Sequence, residues 1–462
     1  MPKWYNELLR SNFSTFIGKT LSTIDPAAQL QPNWHIDLIA EYLEAARKAQ
    51  ITRLIINIPP RSLKSICVSV AWPAWLLGHD PRARVIAASY AASLSIKHSL
   101  DCRLVVSGSW YRDVFPDVKL VRGQNEKHKF VTTKRGFRLA SSVGASVVGE
   151  GGNFLIIDDP ISPAQAMNIR FRENVNNWFD HTFSTRLNNK KSGVIVLVMQ
   201  RLHSEDLSGY LLAKGGWEHL SLPAISDRQR NYSFANFVKT YELGEVLHPG
   251  REDIKLLERA KIELGSSAFA AQYQQSPQPE QGAMVDKSWF MRYASLPTVY
   301  EGVVQSWDTA IKSSARHDAS VCLTFVEAGG RSYLREARVM RLEYPDLKKQ
   351  FYNYADQDKP KYILIEDKAS GQQLLQDIKR ESYLPLIGIS PKSDKITRFA
   401  AISAMLEAGK LILPQQAAWL ADFEAELFSF PNCAHDDQID ALTQYFDWKR
   451  SQSWEKLSMR RI

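Results

Sequence analysis

The chain has 462 residues, room for two or three domains, and its 44% hydrophobic and 23% charged content excludes a disordered or fibrous protein. Its formal charge of +8, from 58 basic and 50 acidic side chains, permits contact with nucleic acid without requiring it. The four cysteines, Cys67, Cys102, Cys322 and Cys433, fall in no metal-ligand spacing and read as reduced thiols; no run of 18 apolar residues exists, and "MPKWYNELLRSNFSTF" has no signal-peptide core, so zinc, membrane spans and secretion are not expected.

Residues 34–49, "WHIDLIAEYLEAARKA", place Ile36, Ile39, Leu43 and Ala46 on one helical face. A strand follows at 53–58, then a short turn, "PPRSLKS", then a helix-like run. Further strands are expected at 83–90, 136–142, 153–160 ("NFLIIDDP") and 193–201 ("GVIVLVMQR"), apolar along their length as buried parallel strands are. Strands alternating with helices predict an α/β fold with a mainly parallel sheet over residues 1–275. From Ser276 the texture changes: "SPQPEQGAMVDKSWF" has two prolines and no period, and 276–299 reads as a linker. Beyond it, 303–310, 320–328 and 331–341 form an antiparallel pattern with Gly329-Gly330 at the second turn. A strand "YILIED" at 362–367 and more helices make 300–462 a separate mixed α/β domain.

Two constellations carry chemistry. In the first, a strand feeds a turn ending in Lys64-Ser65 ahead of a helix, the layout of a phosphate-binding loop. A triphosphate needs backbone N–H donors, here Pro60 to Ser65 (Pro60, Arg61, Ser62, Leu63, Lys64 and Ser65) less the proline, a lysine, a hydroxyl on magnesium and a carboxylate behind the metal. Leu63 keeps its N–H but lacks glycine's freedom to take positive φ. In "LIIDDP", Asp158 is suited to hold hydrated Mg²⁺ and Asp159 to orient or deprotonate water; a plain strand-to-loop cap is the alternative.

In the second, Asp308 lies inside the strand "QSWDTA", Glu366 and Asp367 end "YILIED", and "HDDQIDAL" opens a helix with Asp436, Asp437 and Asp440. Two-metal nucleases gather such carboxylates around ions about 3.5–4 Å apart, and Mg²⁺ prefers oxygen ligands. Helix capping is the alternative for Asp436 alone.

The landmarks "PPRSLKS", "VIAASYAASLS", "LIIDDPIS", "VMQRLHSEDLSGYLL", "LHPGR", "LGSSAFAAQYQQSPQPEQG", "SWDTA", "LIEDKASG" and "HDDQIDAL" together resemble the large terminase subunit of tailed bacteriophages, in the lineage common in prophages, from about His35 to Phe446. "FAAQYQQ" is a family label without chemistry of its own. The resemblance implies a P-loop NTPase domain followed by an RNase H-like nuclease domain. It makes Lys64 and Ser65 the phosphate-loop pair, Arg61 a γ-phosphate contact, Asp158 the metal acid and Asp159 the catalytic acid, a position usually held by Glu. Gln200 and Arg201, in "MQR", become the coupling segment. Asp308, Glu366 and Asp437 become nuclease acids, with Asp436 a further metal ligand. Many relatives have Gly where Leu63 stands.

The implied cofactors are ATP and Mg²⁺, with Mn²⁺ an alternative in the nuclease site. The implied partners are double-stranded DNA, the portal protein and the small terminase subunit. A homo-oligomeric ring of five is implied on the portal, and a monomer when the chain is isolated. The implied setting is the cytoplasm of the infected or lysogenic host, outside the finished virion. Gln31 and His35 are adenine-contact candidates or merely a surface-helix start. Lys127, His128, Lys129, Lys134, Arg135 and Arg138 form a DNA-facing edge or a solvated hairpin. Lys392, Lys395 and Arg398 are expected on DNA phosphate near the acids. Lys449, Arg450, Lys456, Arg460 and Arg461 form a portal-approaching end or a disordered basic tail. The rival functions are a DNA translocase whose second domain only binds, and an RNase H-like recombinase with a degenerate loop.

Overall fold

Four consecutive apolar or β-branched neighbours make Arg53–Asn57 a strand buried from Leu54 onward, β1. In the computed structural model it lies near one side of an eight-stranded sheet. The other members are β2 (Arg84–Ser89), β3 (Leu120–Asn125), β4 (Lys129–Thr132), β5 (Phe137–Ser142), β6 (Phe154–Asp158), β7 (Val194–Met199) and β8 (Glu218–Ser221). The order is β3-β4-β5-β2-β6-β7-β1-β8. From β5 to β8 every pairing is parallel, while β3 and β4 add antiparallel strands at one edge. A small hairpin, β9 (Arg230–Phe234) and β10 (Phe237–Tyr241), follows. The structure describes residues 2–28, 30–145, 149–235, 237–277, 284–309, 319–367, 370–391, 393–433 and 435–459.

The helix expected over 34–49 runs Trp34–Arg47, capped by the Asn33 side chain, and packs Ile36, Ile39 and Leu43 into the core. That core also takes Trp72 and Trp75, both fully buried, and residues of the N-terminal helices Lys3–Ser11 and Phe13–Ile24. A second apolar layer, with Ile55, Ile157, Leu197 and Phe183, covers the other sheet face. Two covered faces are what a parallel sheet needs.

The chain divides into two compact units, Met1–Pro279 and Glu280–Ile462. The second is built on a seven-stranded sheet. Its strands are β11 (Met291–Tyr293), β12 (Gly302–Asp308), β13 (Ser320–Ala328), β14 (Arg331–Met340), β15 (Tyr362–Glu366), β16 (Leu386–Ile389) and β17 (Leu411–Pro414), in the order β11-β17-β14-β13-β12-β15-β16. β12, β13 and β14 are antiparallel, with Gly329 and Gly330 both at positive φ in the turn. Within the segment read as a linker, Met291–Tyr293 pairs with β17, and Val285 and Phe290 are buried in this unit's core. The final helix, Asp437–Met459, carries the basic residues read as a tail; Lys449 pairs with Glu327 at 3.0 Å and Arg450 with Asp447 at 2.6 Å. Arg460, Arg461 and Lys392 lie outside the described residues.

Candidate functional site

In the first sheet β1, β7 and β6 are neighbours and end together: Asn57 aligns with Met199, and Asp158 with Val198. The segments that follow them therefore meet at one edge, the usual place for a ligand in such sheets. Pro60 to Ser65 follow β1, Gln200 and Arg201 follow β7, and Asp159 follows β6. From Lys64 the chain is helical, passes through a π-helical turn at Ile66–Ala71, and continues as the α-helix Trp72–His79.

Arg61 and Leu63 have φ of 60° and 63°, the left-handed region that favours glycine. The chain thus puts a leucine where its relatives' glycine would be at ease. Leu63 is held there because its carbonyl accepts from the Cys67 N–H at 2.9 Å and its side chain packs on the core. Lys64 is 7% exposed, and its Nζ lies 3.0 Å from Asp159 Oδ2. Ser65 Oγ donates to Asp158 Oδ1 at 3.1 Å, and Ser69 Oγ donates to Oδ2 at 2.7 Å. Burial pushes both carboxyls above the usual acid range, and the Lys64 ammonium opposes it. Ser65 Oγ and Asp158 Oδ1 form the all-oxygen donor pair that suits Mg²⁺, so these residues fit the metal and the anion together.

Asp159 also has positive φ, 45°. Its backbone is fixed by bonds from its own N–H to Val198 O and from the Tyr90 N–H to its carbonyl, both 3.0 Å. Its carboxylate accepts from the Gln200 N–H. Arg201 is buried, with Nε 3.0 Å from each oxygen of the buried Asp206.

Three residues here escaped the sequence reading. Ser69 repeats Ser65 at the helical spacing of four, which was its available signal. His98 is buried with Nδ1 3.5 Å from Asp158 Oδ2; burial, then Arg138, pushes its pKa down to about 4, so it is neutral. Gln275 accepts from the Arg201 N–H at 3.0 Å. Two expectations are corrected. Arg138 is no part of a DNA-facing edge: it is fully buried, because β5 points its side chain inward, and its Nη2 donates to Ser69 O at 3.2 Å. His35 is no surface-helix start either: it is fully buried, its Nδ1 2.8 Å from Asn33 Nδ2, and burial, then His248, pushes its pKa down to about 3. Of the remaining basic edge, Lys127, Lys134 and Arg135 are exposed, while Lys129 pairs with Glu150.

In the second unit, Asp308 ends β12 and Glu366 ends the adjacent parallel strand β15. The helix Asp437–Met459 is fastened over β12: Ser306 Oγ donates to Ala441 O at 2.8 Å, and Gln444 Nε2 donates to Ser306 Oγ at 2.9 Å and to Trp307 O at 3.2 Å. That brings its acids to the strand ends. Burial first, then the charges of Asp440, Glu366 and Asp437, pushes Asp308 up to about 8. Gly371, in "KASG", allows the helix Ser370–Glu381 to approach: a Cβ there would sit 2.0 Å from Glu366 O. Asp436 is taken by Lys395 at 2.8 Å, and Asp440 by Lys395 at 2.6 Å and Arg398 at 3.1 Å. Lys395 and Arg398, expected on phosphate, thus face carboxylates. Among the described residues no three His, Cys, Asp or Glu side chains already stand close enough to hold an ion, but Asp308, Glu366 and Asp437 are all oxygen donors whose mutual repulsion a cation would relieve.

The two sheets and their acid-bearing edges define the architecture of the phage large terminases. The chain is similar to the solved large terminase of a thermophilic bacteriophage, with a TM-score of 0.53 at 11% identity over 90% of this chain and 99% of that one. The same phage protein in complex with ADP gives 0.50 at 10% identity over 89% and 97%. At such identity the likeness is one of fold. No curated protein matches the chain in sequence. Residues 305–447 match the family described as the Terminase RNaseH-like domain, and that part of the chain belongs to it.

Proposed function

We propose that the chain is a terminase large subunit that drives double-stranded DNA into a phage prohead by ATP hydrolysis and cuts concatemeric DNA, the first unit acting as motor and the second as nuclease. The observation that carries the motor reading is the meeting of Lys64, Ser65, Asp158 and Asp159 at one sheet edge. Lys64, released from Asp159, holds the β- and γ-phosphates, with Arg61 beside it. Backbone N–H groups of the loop from Arg61 to Ser65 cradle the anion. Ser65 and Asp158 hold Mg²⁺, which supplies charge neutralisation on the phosphates. Asp159, freed of its lysine, orients the attacking water and accepts its proton. Gln200 and Arg201 couple this edge to movement. The solved phage relative bound to ADP supports a nucleotide as ligand.

In the second unit, Asp308, Glu366 and Asp437 hold divalent cations, Mg²⁺ or Mn²⁺, which activate water and stabilise the leaving oxygen of a phosphodiester. Asp436 joins them once Lys395 swings to DNA phosphate. The family match of residues 305–447 supports this half. The partners proposed are DNA, the portal and the small subunit, with a ring formed on the portal in the host cytoplasm. Two assays test the whole. DNA-stimulated ATPase should vanish in Lys64→Ala, and plasmid cutting with Mg²⁺ or Mn²⁺ should vanish in Asp308→Ala. Equal cutting by the second variant would leave a translocase without a nuclease, and no ATPase in the parent would favour a recombinase.

A further inference from the structure

The stretch "FAAQYQQ" ends in two glutamines with different partners. After the helix Ser266–Gln272, the Gln274 side chain copies a strand neighbour: Oε1 accepts from the Ile225 N–H at 3.0 Å, and Nε2 donates to Ile225 O at 2.8 Å. Gln275 reaches elsewhere. Its Oε1 accepts from the Arg201 N–H at 3.0 Å, and its Nε2 donates to Gln272 O at 2.5 Å. It is 7% exposed and sits at φ 56°, a strained conformation for a side-chain-bearing residue that such bonds sustain.

The turn after β7 is thereby gripped twice. Asp206 accepts from the Leu202 N–H at 2.9 Å and from Arg201 Nε, while Gln275 takes the Arg201 N–H. One residue earlier, the Gln200 N–H meets the Asp159 carboxylate. Consecutive N–H groups of one turn thus serve the acid and the glutamine. We infer that Gln275 is a positioning residue: it fixes the Gln200–Arg201 turn against Asp159 and ties that edge to the segment leaving the first unit at Pro279. This rests on the ATP-hydrolysis reading above. Removing the acceptor leaves a buried N–H unmet and lets the turn drift, and drift of an ångström at a reacting group costs rate rather than binding.

The test uses the full chain, with ATPγS binding, steady-state ATPase and thermal unfolding measured together. Gln275→Met should lower kcat about tenfold or more while KM and the ATPγS Kd stay within about twofold. Gln274→Met, which loses bonds to Ile225 alone, should lower Tm comparably yet keep kcat within about twofold of the parent. Gln275→Glu keeps the acceptor and should restore most of kcat. Gln275→Asn, a shorter side chain, should repeat the kcat loss should the methionine variant not fold. Parental kcat in Gln275→Met or Gln275→Asn, or equal kcat losses at 274 and 275, overturns the inference. A parent without ATPase overturns the hydrolysis reading and the inference with it, and is told apart because Gln275 variants then have nothing to lower.

Discussion

The Lys64 ammonium lies 3.0 Å from the Asp159 carboxylate, so the cation expected to hold phosphate and the acid expected to work on water neutralise each other. A triphosphate must separate them. Asp159→Asn removes the charge that competes with phosphate for Lys64. ATPγS should bind that variant as tightly as the parent or severalfold more tightly, while turnover falls by about 10²-fold or more. Weaker binding together with unchanged turnover would show that the pair is merely structural.

Leu63 is the second test. Its φ of 63° costs a side chain about 1–2 kcal/mol that glycine does not incur. Against this, Leu63→Gly loses the packing of a half-buried side chain on the core and adds freedom to the unfolded chain. These terms nearly offset, so stability should change by less than about 1.5 kcal/mol. ATPγS affinity should stay within about twofold because the backbone N–H remains. Calorimetric titration of the variant checks both; a collapse of binding would make the leucine side chain part of the site.

Asp308 carries a pH signature. Its pKa of about 8 in the fold exceeds the ordinary 3.8, because burial and the nearby acids disfavour the charge. Without divalent cations the second unit should therefore lose stability as pH rises from about 4 to 8. Asp308→Asn should flatten that slope while abolishing cutting by Mg²⁺ or Mn²⁺. A parental slope in the variant would place the titration elsewhere.

Buried histidines act in the opposite direction in the first unit. His35 and His98 are held neutral, with pKa values near 3 and 4 against 6.5 unfolded. Protonation favours the unfolded chain, so their contribution is intact above pH 6.5 and is lost as pH falls toward the folded values. At pH 5 each should cost about 2 kcal/mol relative to neutral pH. Denaturant unfolding across this range, with His35→Gln beside the parent, measures it; an identical pH slope in that variant would refute the contribution of His35.

Much of this was legible because buried parallel strands announce themselves. "RLIINI", "LIID" and "VIVLVM" are apolar end to end, and the groups after them fell at the same edge in the structure. β3, β4 and β8 were not foreseen, being short and largely polar or exposed. Arg138 was misjudged because nearby exposed cations suggested a surface, whereas strand alternation turns this one inward. Gln275 could not be found at all. Its partner stands 74 residues away, and no periodicity connects a side-chain amide to a distant backbone N–H.

The π-helical turn Ile66–Ala71 sets a rule about chain length rather than composition. Ser65 and Ser69 stand on either side of its start and together occupy both oxygens of Asp158. Deleting one residue inside the turn would rotate everything after it by about 100°. Trp72 and Trp75 would then leave the core they fill. Substitutions in this stretch are tolerable wherever size permits, but a register change is not, and a homologue one residue shorter here must have rebuilt its core.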